Sequence, residues 1–286
     1  MYLELSGLKL AKYLARVRAM QLVLPYCPPL CIDNLKKKLF KYLFIVGKMM
    51  IVKTPGVNGN PESRNSGNAI LKELDKIVNS KGKTINMQNL RLEEIHVDNE
   101  NLKEQDRLIY ENSLDLFSEQ DKIIFLGGDN SLSYSTCSAF FDSFPGFMMV
   151  FDNILDIGDY SGFPGNKAWL KALIEKHPAE NILMVGASEL TNKEFFQDNN
   201  IKVISLQQFT ADLKDTTDFI MESSKGKPLY VSLDINCVNE TGFSNQQLLY
   251  IMKRIAMMRN LKALDIVEAD DDKKIKLASR VLAEFL

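Results

Sequence analysis

Histidine is scarce in this sequence: of 286 residues, only His96 and His177 carry an imidazole. Serine or cysteine hydrolysis needs a base beside its nucleophile, usually histidine. The two candidates sit in EEIHVDN and EKHPAE, surroundings typical of surface or strand-edge positions. The four cysteines, Cys27, Cys31, Cys137 and Cys237, are too scattered for a disulfide framework, which implies a reducing, cytoplasmic setting. Cys27 and Cys31 also lack the second ligand pair that a zinc site requires. No apolar run reaches the roughly 18 residues of a membrane span, so a soluble protein is expected. A Walker phosphate loop is missing, as is any G-x-G-x-x-G after a strand. A formal net charge of -2 gives no electrostatic case for nucleic acid as a partner.

The charge is unevenly spread. Residues 1–48 carry nine Lys/Arg against Glu4 and Asp33, net +7, which leaves net -9 for residues 49–286. LKLAKYLARVRAMQLVL and NLKKKLFKYLFIVGK read as two basic amphipathic helices around a PYCPPL break. The segment is either a membrane-surface or partner-binding arm or an appended, mis-started leader, because a domain-like pattern opens at Met49 and Met50. Residues 49–286 then form the main domain.

From Met49 onward, β-rich runs alternate with helical patterns. The strand candidates are MMIVKT, DKIIFLGG, GFMMVFD, NILMVGA, KVISL, LYVSLDI and ALDIVEA. Helical stretches include AILKELDKIV, AWLKALIEK, QQLLYIMKRIAMM and IKLASRVLAEFL. Nearly continuous apolar strands separated by helices predict an α/β fold with a mainly parallel sheet covered on both faces. Sites in such folds lie at the carboxyl ends of strands. Three of those ends are polar: LGGDNS, FDNILD and SLDINCVNE.

Asp152 and Asp156 stand four residues apart just past a predicted buried strand, and Asp234 ends another. Buried ionised carboxylates are costly without a counter-charge, so the trio points to a hard cation; helix capping and plain surface exposure are the alternatives.

GGDNSLS, VFDNILD, SLDINCVNE, TGFS before a long helix, and DIVEAD resemble, in the same order, the motifs of the arginase/agmatinase (ureohydrolase) family: GGDHS, DAHxD, S-x-D-x-D-x-x-D-P, a GG-L-[ST] turn and D-x-V-E-x-N-P. The resemblance covers residues 49–286. It implies a three-layer αβα sandwich, an oligomer (trimer or hexamer) or co-assembly with an active paralogue, and hydrolysis of a guanidino group at two manganese ions. Metal is needed there because guanidinium is a poor electrophile and water must be made a strong nucleophile.

Residue by residue, the resemblance is degenerate. Asn130 stands at the histidine of GGDHS. In DAHxD, Asp152 and Asp156 are kept and Ile154 replaces the histidine; in S-x-D-x-D, Asp234 is kept and Asn236 replaces the second aspartate. One implied ion keeps Asp152, Asp156, Asp234 and the neutral oxygen of Asn130; the other has lost both private ligands. An all-oxygen set suits Mg²⁺, Ca²⁺ or Mn²⁺. The resemblance thus implies at most one divalent cation (Mn²⁺ or Mg²⁺), or a metal-free pocket neutralised by protonation or by Lys167. Asn166 falls at the implied proton-shuttle histidine and cannot do acid/base work. Glu268 matches the glutamate that pairs with the guanidinium, so a small guanidino ligand is an implied partner. Asp270 and Asp271 replace the N-P that follows, and Glu240 replaces the end of the third motif. The expectation is an inactive or very weak C–N hydrolase that retains ligand binding or stabilises an oligomer. The rival is a hydrolase working with one ion.

Overall fold

Runs in which every residue is apolar suit strands covered on both faces, as in a parallel sheet between two helical layers. The computed structural model describes residues 49–187 and 193–286; the two basic helices expected over residues 1–48 lie outside them. Its strands are β1 (Met50–Lys53), β2 (Arg91–Glu94), β3 (Ile123–Leu126), β4 (Phe147–Phe151), β5 (Ile182–Val185), β6 (Lys202–Ile204), β7 (Leu229–Asp234) and β8 (Leu261–Val267). They form one sheet in the order β2-β1-β3-β8-β7-β4-β5-β6, and every pairing is parallel. All residues of β3, β4, β5 and β7 are buried.

The described helices are α1 (Ser66–Leu74), α2 (Leu102–Glu119), α3 (Ser131–Ser143), α4 (Trp169–Ile174), α5 (Lys193–Asp198), α6 (Leu206–Ala211), α7 (Leu213–Ser223), α8 (Asn245–Ala256) and α9 (Asp272–Phe285). Successive strand residues point to opposite faces, so the sheet feeds two cores. Ile51, Ile124, Met149, Phe151 and Leu233 pack with α1, α6, α7, α8 and α9. Met50, Val52, Phe125, Val150 and Tyr230 pack with α2, α3, α4 and α5. Each large apolar side chain buried this way contributes roughly 1.5–3 kcal/mol, which is why the sheet needs both helical layers. Local signals fix the helix starts: Ser244 and Gln247 form a capping box at α8, and the Asp271 side chain accepts the Lys273 and Lys274 amides at α9.

Two local expectations are corrected. The helix read over AILKELDKIV spans only Ser66–Leu74; Val78 instead bridges to Thr84, and the Asn79 amide bonds to Lys83 O, so a turn draws the chain out of the helix. β2 adds a strand to those the sequence predicts; it is an edge strand whose Leu92, Glu93 and Glu94 are exposed, so it has no apolar run. No helix among the described residues is long and apolar enough to cross a membrane.

Candidate metal centre

In a parallel sheet, ligands gather at strand carboxyl ends where neighbouring connections diverge. The chain leaves β3 through α3 and returns at β4, with β8 and β7 lying between them. The carboxyl ends of β3, β8, β7 and β4 are thus side by side, bringing Asn130, Glu268, Asp234 and Asp152 together from distant parts of the sequence.

The turn after β3 depends on two glycines. Gly127 has φ +100° and Gly128 φ +76°, and a Cβ on Gly128 would lie 2.2 Å from Gly56 O. This close approach delivers Asp129 and Asn130 to the start of α3. Asp129, fully buried, ties the turn to the loop after β1. Its Oδ2 accepts the Asn58 amide (2.8 Å) and the Asn60 amide (2.9 Å), and its Oδ1 accepts the Ser131 amide and hydroxyl.

Asp152, Asp156 and Asp234 each present one carboxylate oxygen to a common point, these oxygens all lying within 4.8 Å of one another. Asp152 and Asp234 are locked in the same way: Oδ1 accepts the backbone amide two residues on, from Ile154 (3.1 Å) and Asn236 (2.6 Å), a local turn typical of aspartate. Asp156 comes from the loop beyond β4; its Oδ2 accepts Trp169 Nε1 at 3.0 Å, fixing it to the start of α4. Asn130 Nδ2 bridges the set, donating to Asp234 Oδ2 (2.7 Å) and Asp156 Oδ2 (3.0 Å). Its Oδ1 is buried and has no hydrogen-bond partner.

Glu268 closes the cage from β8. It holds φ +62°, a left-handed conformation unusual for a residue with a Cβ. Its Oε1 accepts the Asn130 amide (3.3 Å) and Asn166 Nδ2 (3.4 Å), and its Oε2 accepts Asn60 Nδ2 (2.6 Å).

The electrostatics follow from burial. Burial, and then the charges of Asp234 and Asp156, push the Asp152 carboxyl well above its ordinary value. Burial pushes Asp156 up to about 7, against the opposing Trp169 hydrogen bond, and Asp234 up to about 8, against that of Asn130. Burial also raises Glu268 and Asp129. Lys167 is exposed and acts on Asp156 only through space. The arrangement therefore favours either protons or a bound cation.

Asn130, Asp152, Asp156, Asn166, Asp234 and Glu268 are thus joined in one cluster. Ile154 is 64% exposed and offers no donor atom; Asn236 is half-buried beside Asp234. Asp270 and Asp271, where the resemblance expects N-P, have defined tasks: Asp270 pairs with Lys274 (2.5 Å) and Asp271 caps α9. Glu240 is exposed. His96 is exposed after β2, and His177 stacks on Phe141 with ring centroids 5.3 Å apart.

Sequence reasoning missed Asn58, Asn60 and Trp169. The Asn-Gly-Asn cluster beyond β1 is a turn signal at a strand carboxyl end and marks the first two; a single tryptophan at a helix start gives no comparable signal.

Residues 51–286 match the model of the arginase family. No curated protein matches by sequence. Among solved structures, the fold is similar to formimidoylglutamase from Bacillus subtilis (TM-score 0.72, 17% identity, 84% of this chain and 86% of that one). It is similar as well to the proclavaminate amidino hydrolase of Streptomyces clavuligerus (0.71, 18%, 84% and 91%). The Trypanosoma cruzi formiminoglutamase determined with Mn²⁺ is a third (0.71, 14%, 84% and 92%). At such identities the likeness is one of fold.

Proposed function

The chain belongs to the arginase family, and from that premise we propose that it binds one divalent cation and has lost hydrolysis of guanidino compounds. The observation that carries this reading is the donor set. Two oxygens on one ion lie at most twice the metal–oxygen distance apart, about 4 Å for Mg²⁺ and about 5 Å for Ca²⁺, and the oxygens of Asp152, Asp156 and Asp234, all within 4.8 Å of one another, are close to that span without an ion. Asn130 turns its Nδ2 to Asp156 and Asp234; half a turn of its amide would bring the partnerless Oδ1, a neutral oxygen, to the same ion. The cation would supply positive charge to a cage whose carboxylates are all raised by burial.

The residues fit one ion and not two. A second would need donors at Ile154, which has none, and at Asn236, whose amide is a weaker ligand than a carboxylate. Asn166 can hold a hydrogen bond but cannot carry a proton to or from a leaving group. The Mn²⁺ in one structural neighbour supports manganese as the ion to try first.

Urea release from arginine, agmatine and guanidinobutyrate with excess Mn²⁺ tests the loss of hydrolysis. None is expected above the level of a D152N/D234N variant. Release abolished by that double change would establish the second reading, a hydrolase working with one ion. That reading is favoured by Glu268, whose left-handed backbone still turns a carboxylate into the pocket.

A further inference from the structure

Glu268 is 3% exposed, and Asn60 meets it with a single amide nitrogen that serves two acids. Asn60 Nδ2 donates to Glu268 Oε2 at 2.6 Å and to Asp270 Oδ2 at 3.0 Å. Two N–H bonds diverging from one planar group onto two carboxylates is the pattern that a guanidinium or amidinium ion offers. Here the donor is neutral and belongs to the protein.

Asn60 is also held from behind. Its backbone amide donates to Asp129 Oδ2 at 2.9 Å, and its Oδ1 accepts the Glu62 amide at 3.3 Å, capping the helical turn Pro61–Asn65. Neighbouring Gly59 lies so close to Asn166 that an added Cβ would sit 2.0 Å from its Oδ1. Lys274 pairs with Asp270 through Oδ1, so Oδ2 is the face that Asn60 covers.

We propose that Asn60 is an internal plug: its amide takes the place of a planar cation on Glu268 and Asp270 and excludes ligands of the guanidinium and amidinium class. This rests on the reading of the pocket as a cation site, and it adds the residue that keeps organic cations out. Removing the side chain beyond Cβ leaves Glu268 Oε2 and Asp270 Oδ2 unpaired with space between them, a state that a planar cation relieves and an uncharged ligand of the same size does not.

Calorimetric titration with methylguanidinium, on metal-free full-length protein and again with Mn²⁺, tests this in native protein, N60A, N60S and N60A/E268Q. N60S keeps a side-chain acceptor for the Glu62 amide and guards against loss of the turn; a cooperative melt shows which variants are folded. Native protein is expected to show weak or no saturable heat. N60A and N60S should bind about tenfold more tightly or better, the gain expected from freeing a charge-assisted hydrogen bond, and N60A/E268Q should lose that gain. The proposal is overturned if folded N60A and N60S bind no better than native protein, or if the gain survives E268Q. Failure of the metal reading is separate, because it appears as absent Mn²⁺ binding by native protein, whatever the methylguanidinium results.

Discussion

Asparagine is the residue that defines this pocket. Asn130 donates to Asp156 and Asp234, Asn60 to Glu268 and Asp270, and Asn166 to Glu268. A neutral amide cannot cancel charge but does satisfy lone pairs, so it partly offsets the cost of gathering acids in a water-poor space. In the metal-free protein, N130A leaves two buried carboxylates without this donor, and a loss of about 1–3 kcal/mol in denaturant unfolding is expected. Saturating Mn²⁺ should recover part of that loss, because Asp152, Asp156 and Asp234 can still hold the ion, at lower affinity than with Asn130 present. The same residues set a pH dependence. Asp156 at about 7 and Asp234 at about 8 hold protons in the folded state that an unfolded aspartate, at 3.8, has released. Folded protein therefore binds more protons than unfolded between these limits, and stability falls as pH rises from about 4 to about 8. Melting temperatures of metal-free protein should decline across that window, and Mn²⁺ should flatten the slope by favouring the charged carboxylates. A metal-free profile that rises with pH would show that these acids are not held protonated. At this scale the spacing of Asp152 and Asp156 and the strand-end place of Asp234 mark them as candidates, with capping and exposure as alternatives, and the structure brings their oxygens together. The donors Asn60 and Trp169 were not legible, since their partners lie far away in sequence and only the fold joins them.

Elements were legible where burial is uniform. Ile123–Leu126 and Phe147–Phe151 are apolar throughout, because strands covered on both faces have no polar side to show. α2 escaped notice because its buried face, Gln105, Ile109, Ser113, Leu116 and Phe117, includes two polar residues that break the apolar stripe. α3 shows itself differently: its residues from Ser131 to Phe140 are buried all round, so it has no amphipathic period, and the Gly-Gly turn after an apolar strand is the signal that a helix follows. The connection from β3 to α3 is the element on which the site turns. G128A should destabilise the fold by more than about 1 kcal/mol, because alanine is strained at φ +76° and its Cβ would meet Gly56 O. Mn²⁺ affinity should fall as well, since Asn130 follows two residues later. A variant that melts like native protein and binds Mn²⁺ normally would show that the turn tolerates a side chain.

For the molecule as a whole, strand order makes the site. β3, β8, β7 and β4 lie side by side, so Asn130 and Glu268, 138 positions apart, share a hydrogen bond. The alternation of apolar strands with helices predicted a sheet covered on both faces, and motif order predicted which loops converge. Strand order itself is not written in local pattern, because pairing partners depend on crossovers between distant segments. The central claim, that this sheet end holds one cation where the family resemblance implies two, is tested most directly by counting metal. Protein equilibrated with Mn²⁺ and freed of excess should retain one ion per chain, located by anomalous diffraction among Asp152, Asp156 and Asp234. Two ions, or none, would contradict the account.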